Sequence, residues 1–118
     1  MRYSAFFGAL LWLFLIATGP AHAHAMLDHA EPRVGNKVAT APNQVTLWFT
    51  QKLESAFSSI TVTDPSGKRV DTGKSRVSGN QISVSLRPGV AGTYHVNWRV
   101  LSVDTHTTNG SFTFQVGQ

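Results

Sequence analysis

Residues 45–50 read Val-Thr-Leu-Trp-Phe-Thr, with Val45, Leu47 and Phe49 on one parity and Thr46, Trp48 and Thr50 on the other. The same rhythm returns four times. Ile60 and Val62 alternate with Thr61 and Thr63, and Ile82, Val84 and Leu86 with Gln81, Ser83 and Ser85. Tyr94, Val96, Trp98 and Val100 alternate with His95, Asn97, Arg99 and Leu101, and Phe112, Phe114 and Val116 close the chain. Successive side chains of an extended chain point to opposite faces, so period two predicts strands with one face buried. Turn signals at Asp64-Pro65-Ser66-Gly67 and Arg87-Pro88-Gly89 separate the runs. With weaker strands expected near residues 26–30 and 68–71, the total comes to about seven. No stretch carries a sustained helical period, although residues 53–59 have room for one turn. This pattern predicts an all-β, Ig-like domain, either a Greek-key β-sandwich or a flattened barrel.

One segment breaks the rhythm. Residues 5–17 read AFFGALLWLFLIA, an unbroken apolar run of 13 residues preceded by Arg2 and followed by Ala21-His22-Ala23. A positive start, a short apolar stretch and a small-x-small site describe a secretory signal peptide. A membrane span wants about 20 residues, so the rival reading is an uncleaved anchor of marginal length. Residues 1–23 are expected to be the leader and 24–118 the exported domain. Ala23-His24-Ala25 satisfies the same small-x-small rule, so cleavage after Ala21, Ala23 or Ala25 stays open.

Composition then removes functions. The chain contains no cysteine, which excludes disulfides, thiolate metal sites and a cysteine nucleophile. Ten basic residues against six acidic ones give a formal charge of +4, but the basic residues are scattered. A nucleic-acid interface would need a basic stripe or a known motif, and no nucleic-acid partner is expected. There is no Gly-x-Ser-x-Gly elbow, no paired carboxylate and no glycine-rich phosphate loop.

The remaining chemistry lies in the histidines. If cleavage follows Ala23, His24 begins the exported chain and offers a free α-amine and an imidazole from one residue. Such a pair closes a chelate ring, and nitrogen-rich tetragonal coordination suits Cu(II). Asp104-Thr105-His106 falls between the last two strands. In an extended segment, residues two apart face the same side, so Asp104 and His106 could meet at one centre. The plainer reading is a turn aspartate beside a surface histidine. His95 shares a strand face with Asn97 and Arg99, and His29 has no partner in the sequence. Trp48 is out of phase with its apolar neighbours and is the tryptophan more available to a site. Met26 is the only methionine besides Met1, which argues against a thioether-rich Cu(I) site.

Three stretches together resemble the CopC copper-resistance family: HAMLDHAEPRVG from His24, VTLWFT from Val45, and GTYHVNWRVLSVDTHTTNGSFTF from Gly92. The resemblance spans nearly all of residues 24–116. It implies a periplasmic β-sandwich or barrel, monomeric, that binds one Cu(II) ion per chain. It assigns His24 as the amine and imidazole donor, Asp104 as carboxylate ligand or axial partner, and His106 as the second imidazole, a three-nitrogen brace of the kind found in copper monooxygenases. It further implies copper sequestration or carriage, with a CopD-type membrane transporter as a separate partner, and no enzymatic turnover. Two rivals stand beside it: a small oxidative copper enzyme using the same brace, and an Ig-like interaction domain whose histidines are incidental.

Overall fold

The alternating apolar residues turn inward as their phase requires. In the computed structural model, which describes residues 25–87 and 89–117, eight strands form. They are β1 (Leu27–Glu31), β2 (Lys37–Val38), β3 (Gln44–Phe49), β4 (Ser59–Thr63), β5 (Asp71–Ser78), β6 (Gln81–Leu86), β7 (Gly92–Leu101) and β8 (Thr107–Val116). The expected leader and the candidate ligand His24 lie outside the described residues. Between β3 and β4 runs a single 3-10 turn, Ser55–Phe57, where the sequence left room for one.

The strands make two four-stranded sheets, ordered β1-β3-β6-β5 and β2-β8-β7-β4. Strands distant in sequence lie side by side, as in a Greek key, and all pairings except the parallel β2–β8 contact are antiparallel. Val45, Leu47 and Phe49 of β3 and Ile82 and Val84 of β6 face Val62, Tyr94, Val96, Val100 and Phe114 from the other sheet, and every one of these is at most 1% exposed. Burying each such side chain contributes roughly 1.5–3 kcal/mol. The core can therefore hold the domain without cross-links.

The architecture is a β-sandwich of the Ig-like class and not a closed barrel. The reason lies at the β4–β5 seam. There the edge of β4 is covered by side chains of β5 instead of a continuing ladder. The Ile60 N–H donates to Ser75 Oγ and the Val62 N–H to Asp71 Oδ1, each at 2.9 Å. Asp71 also accepts two hydrogen bonds from Arg69, at 2.9 and 2.6 Å. Side-chain acceptors satisfy an edge that would otherwise offer bare N–H groups to another chain.

Three sequence expectations need correction. The weak strand expected at residues 68–71 overlaps the real β5 only at Asp71, and β5 runs on to Ser78. As an edge strand it buries little, and a bulge between Thr72 and Arg76, containing Gly73 at φ 69°, breaks its phase. Hydrophobic alternation is therefore absent where the strand lies. The two-residue β2 was not expected, being too short to show a period. The last strand starts at Thr107, five residues before Phe112, because the polar run Thr107–Ser111 continues the pairing with β7.

Candidate metal centre

One end of the sandwich gathers four segments. The β7–β8 connection lies against the β3–β4 segment through a Leu53–Ser102 bridge, a Val103 N–H to Lys52 carbonyl bond of 3.0 Å and a Glu54 N–H to Leu101 carbonyl bond of 2.7 Å. The β5–β6 turn joins through the Leu53 N–H to the Gly79 carbonyl, 2.9 Å, and the Asn80 side chain to the Phe49 carbonyl, 2.8 Å. The start of the described chain joins through Met26, whose N–H donates to Thr50 Oγ1 and whose carbonyl accepts from the Thr50 N–H, both at 2.9 Å.

Asp104 and His106 stand on the β7–β8 connection at this end. The segment is not extended. It is a tight turn in which the Thr105 N–H donates to the Ser102 carbonyl at 2.9 Å and the Ser102 N–H to the His106 carbonyl at 3.0 Å. Thr105 takes a left-handed conformation, φ 73°, which costs a non-glycine residue about 1–2 kcal/mol. The two side chains still come close, by a different route. The turn, and not strand alternation, brings Asp104 and His106 to one side, with His106 Nδ1 3.4 Å from Asp104 Oδ1. Both side chains remain accessible, 38% for Asp104 and 45% for His106.

Ser102, fully buried at the foot of the turn, was not singled out from the sequence. Its hydroxyl donates to Asp104 Oδ1, while its N–H serves the His106 carbonyl. One buried residue thus grips both members of the pair. The Ser102 hydrogen bond, seconded by His106, holds the Asp104 carboxyl below the usual carboxylate range against the opposing effect of partial burial. The carboxylate is consequently charged and acceptor-only at neutral pH, the form a metal ion requires. Carboxylate and imidazole together make an oxygen–nitrogen donor pair suited to borderline divalent ions. Among the described residues no group of three or more histidine, cysteine, aspartate or glutamate side chains converges, and His24, the third expected ligand, lies outside them.

The other candidates fall elsewhere. His29 sits on edge strand β1, its Nδ1 2.7 Å from Asp28 Oδ2 and its ring stacked on Trp48 at 4.4 Å and 6°. Trp48 is half-buried, out of phase with its buried neighbours, and stacks on His29. His95 is exposed on β7, opposite Thr113 and Thr63. Trp98 joins the core, edge-on to Phe49 at 4.9 Å.

Residues 27–117 match the CopC domain. Protein YobA of Escherichia coli K12 is 36% identical over 108 residues, which cover 86% of this chain and 85% of that protein. The crystal structure of CopC from Methylosinus trichosporium OB3b superimposes with a TM-score of 0.74 at 32% identity, covering 80% of this chain and 94% of that one. PcoC, a methionine-rich copper resistance protein from Escherichia coli, superimposes with a TM-score of 0.69 at 32% identity, over 80% and 99% of the two chains. With the domain match running from the first strand to the end of the last, the chain belongs to the CopC family.

Proposed function

We propose that this protein binds one Cu(II) ion in the periplasm and sequesters or carries it, with handover to a CopD-type membrane transporter as its outlet. The observation that carries the reading is the Asp104–His106 pair, held 3.4 Å apart on a turn that opens to solvent, in a family that includes a named copper resistance protein. The ligands are His24 through amine and imidazole, His106 through imidazole and Asp104 through its carboxylate. Three nitrogens and an oxygen favour Cu(II), which heads the divalent affinity series. The lack of cysteine and the single methionine beyond Met1 argue against a soft Cu(I) site.

The mechanism is coordination without turnover. The turn holds the carboxylate charged and the imidazole beside it. Ala25, the residue next to His24 in sequence, is wholly buried in the core, so the expected terminal ligand is joined to a fixed neighbour one Cα–Cα step of about 3.8 Å away. Partial exposure of both side chains leaves a path for the ion to enter and to be passed on.

The test is Cu(II) titration, by chelator competition, of protein beginning at His24, of the same protein with one extra N-terminal glycine, and of His106→Ala. Both changes should weaken binding by at least about tenfold, the scale on which metal sites respond to lost partners. Equal tight binding by all three would overturn the ligand set.

A further inference from the structure

We propose that Thr108 is a positioning residue for the N-terminal copper ligand, its hydroxyl holding the carbonyl of Ala25, the residue to which His24 is joined. This inference rests on the reading that His24 is a ligand. Thr108 Oγ1 donates to the Ala25 carbonyl at 2.8 Å, joining residues 83 positions apart. Ala25 is wholly buried in the core cluster. The next residue, Met26, is tied on both backbone sides to Thr50. The chain entering β1 is therefore held to both sheets, to the end of β3 through Thr50 and to β8 through Thr108.

The β7–β8 ladder does not ask for the hydroxyl; the buried Ala25 carbonyl does, and the apo melt reads that structural cost apart from copper affinity. Thr108 pairs with Val100 in the β7–β8 ladder through its backbone, and a half-buried strand position accepts valine equally well. Its side chain instead reaches out of the hairpin to Ala25. Thr108 also stands two residues beyond His106, at the start of β8. A chain terminus is ordinarily the most mobile part of a domain. A terminal ligand is useful only if that freedom is removed before the metal arrives, and ordering it in advance raises affinity without adding a contact to the ion.

The experiment crosses two changes in protein that begins at His24: Thr108→Val, and one extra N-terminal glycine. Cu(II) affinity is measured by competition, the copper environment by electron paramagnetic resonance, and the apo fold by thermal melting. Thr108→Val should weaken Cu(II) binding about tenfold and alter the nitrogen signature of the spectrum. Thr108→Ser, which restores the hydroxyl, should recover both, and Thr108→Ala, which adds no bulk toward Ala25, should behave as Thr108→Val. In the glycine-extended protein, where the amine ligand is already displaced, Thr108→Val should cost nothing further. Equal losses in both backgrounds, or undiminished binding by Thr108→Val and Thr108→Ala, would overturn the positioning role while leaving the ligand set intact. If the glycine extension itself changes neither affinity nor spectrum, the ligand set fails and the positioning role falls with it.

Discussion

At the scale of single residues, the candidate centre depends on a serine that carries no metal chemistry of its own. Ser102 places one hydrogen bond on the Asp104 carboxylate and another on the His106 carbonyl, so the two donors are oriented by one buried point. Removing the hydroxyl leaves the backbone bond to His106 in place and lets solvent reach the partly exposed carboxylate. Ser102→Ala should therefore lower Cu(II) affinity about tenfold, while costing the apo protein no more than about 1.5 kcal/mol. Isothermal titration and thermal melting of the two proteins check this. An unchanged copper isotherm would reduce Ser102 to a packing residue. The sequence already contains Asp104 and His106 as a pair, because their spacing and residue types are local facts. Ser102 was invisible there, since one serine among many acquires its role only when the turn folds back on it.

At the scale of elements, two contacts decide how well the strands are joined. Gly110 lies opposite Trp98 in the β7–β8 ladder, and a Cβ built there would fall 2.4 Å from Trp98 Cζ2. Gly110→Ala must push the indole out of its edge-on contact with Phe49, an overpacking that costs about 1–3 kcal/mol. A chemical denaturation curve should show the loss. A midpoint equal to the parent's would mean the indole moves freely. The second contact is Asp71 in the β4–β5 seam. Burial pushes its carboxyl up, but the Arg69 hydrogen bonds, the Val62 N–H and the guanidinium charge outweigh it, and the group lies below the usual carboxylate range. A carboxyl lowered in the folded state lends stability that is full above its unfolded value and is lost as pH falls through the folded one. Asp71→Asn should thus melt lower than the parent at neutral pH and converge with it in acid. A gap that persists at about pH 2 would assign the effect to packing instead. Edge strand β5 was hidden from the sequence because it buries almost nothing, whereas β3, β6, β7 and β8 declared themselves through residues that must leave water.

For the whole molecule, the sandwich brings residues 83 positions apart to one rim. Ala25 and Thr108 meet there, and the Asp104–His106 turn is two residues away in sequence from Thr108. A ligand that binds only the folded protein stabilises it in proportion to the logarithm of its excess concentration, about 2.7 kcal/mol at one hundred times its dissociation constant. Cu(II) should consequently raise the melting temperature of protein beginning at His24 and raise it distinctly less in the glycine-extended form. Identical shifts in a melting series at matched copper would show that the rim binds copper without the terminal amine.

The sequence by itself determined which residues face inward, that the domain is all-β, and that no thiolate can supply a metal ligand. Each of these follows from residue type or from a period of two, both readable within a few positions. Tertiary structure alone decided that the sheets stay two instead of closing, that a turn with a left-handed Thr105 brings Asp104 and His106 together, and that β8 holds Ala25. Those outcomes depend on contacts between residues dozens of positions apart. Local periodicity carries no record of such partners, and only the folded packing selects them.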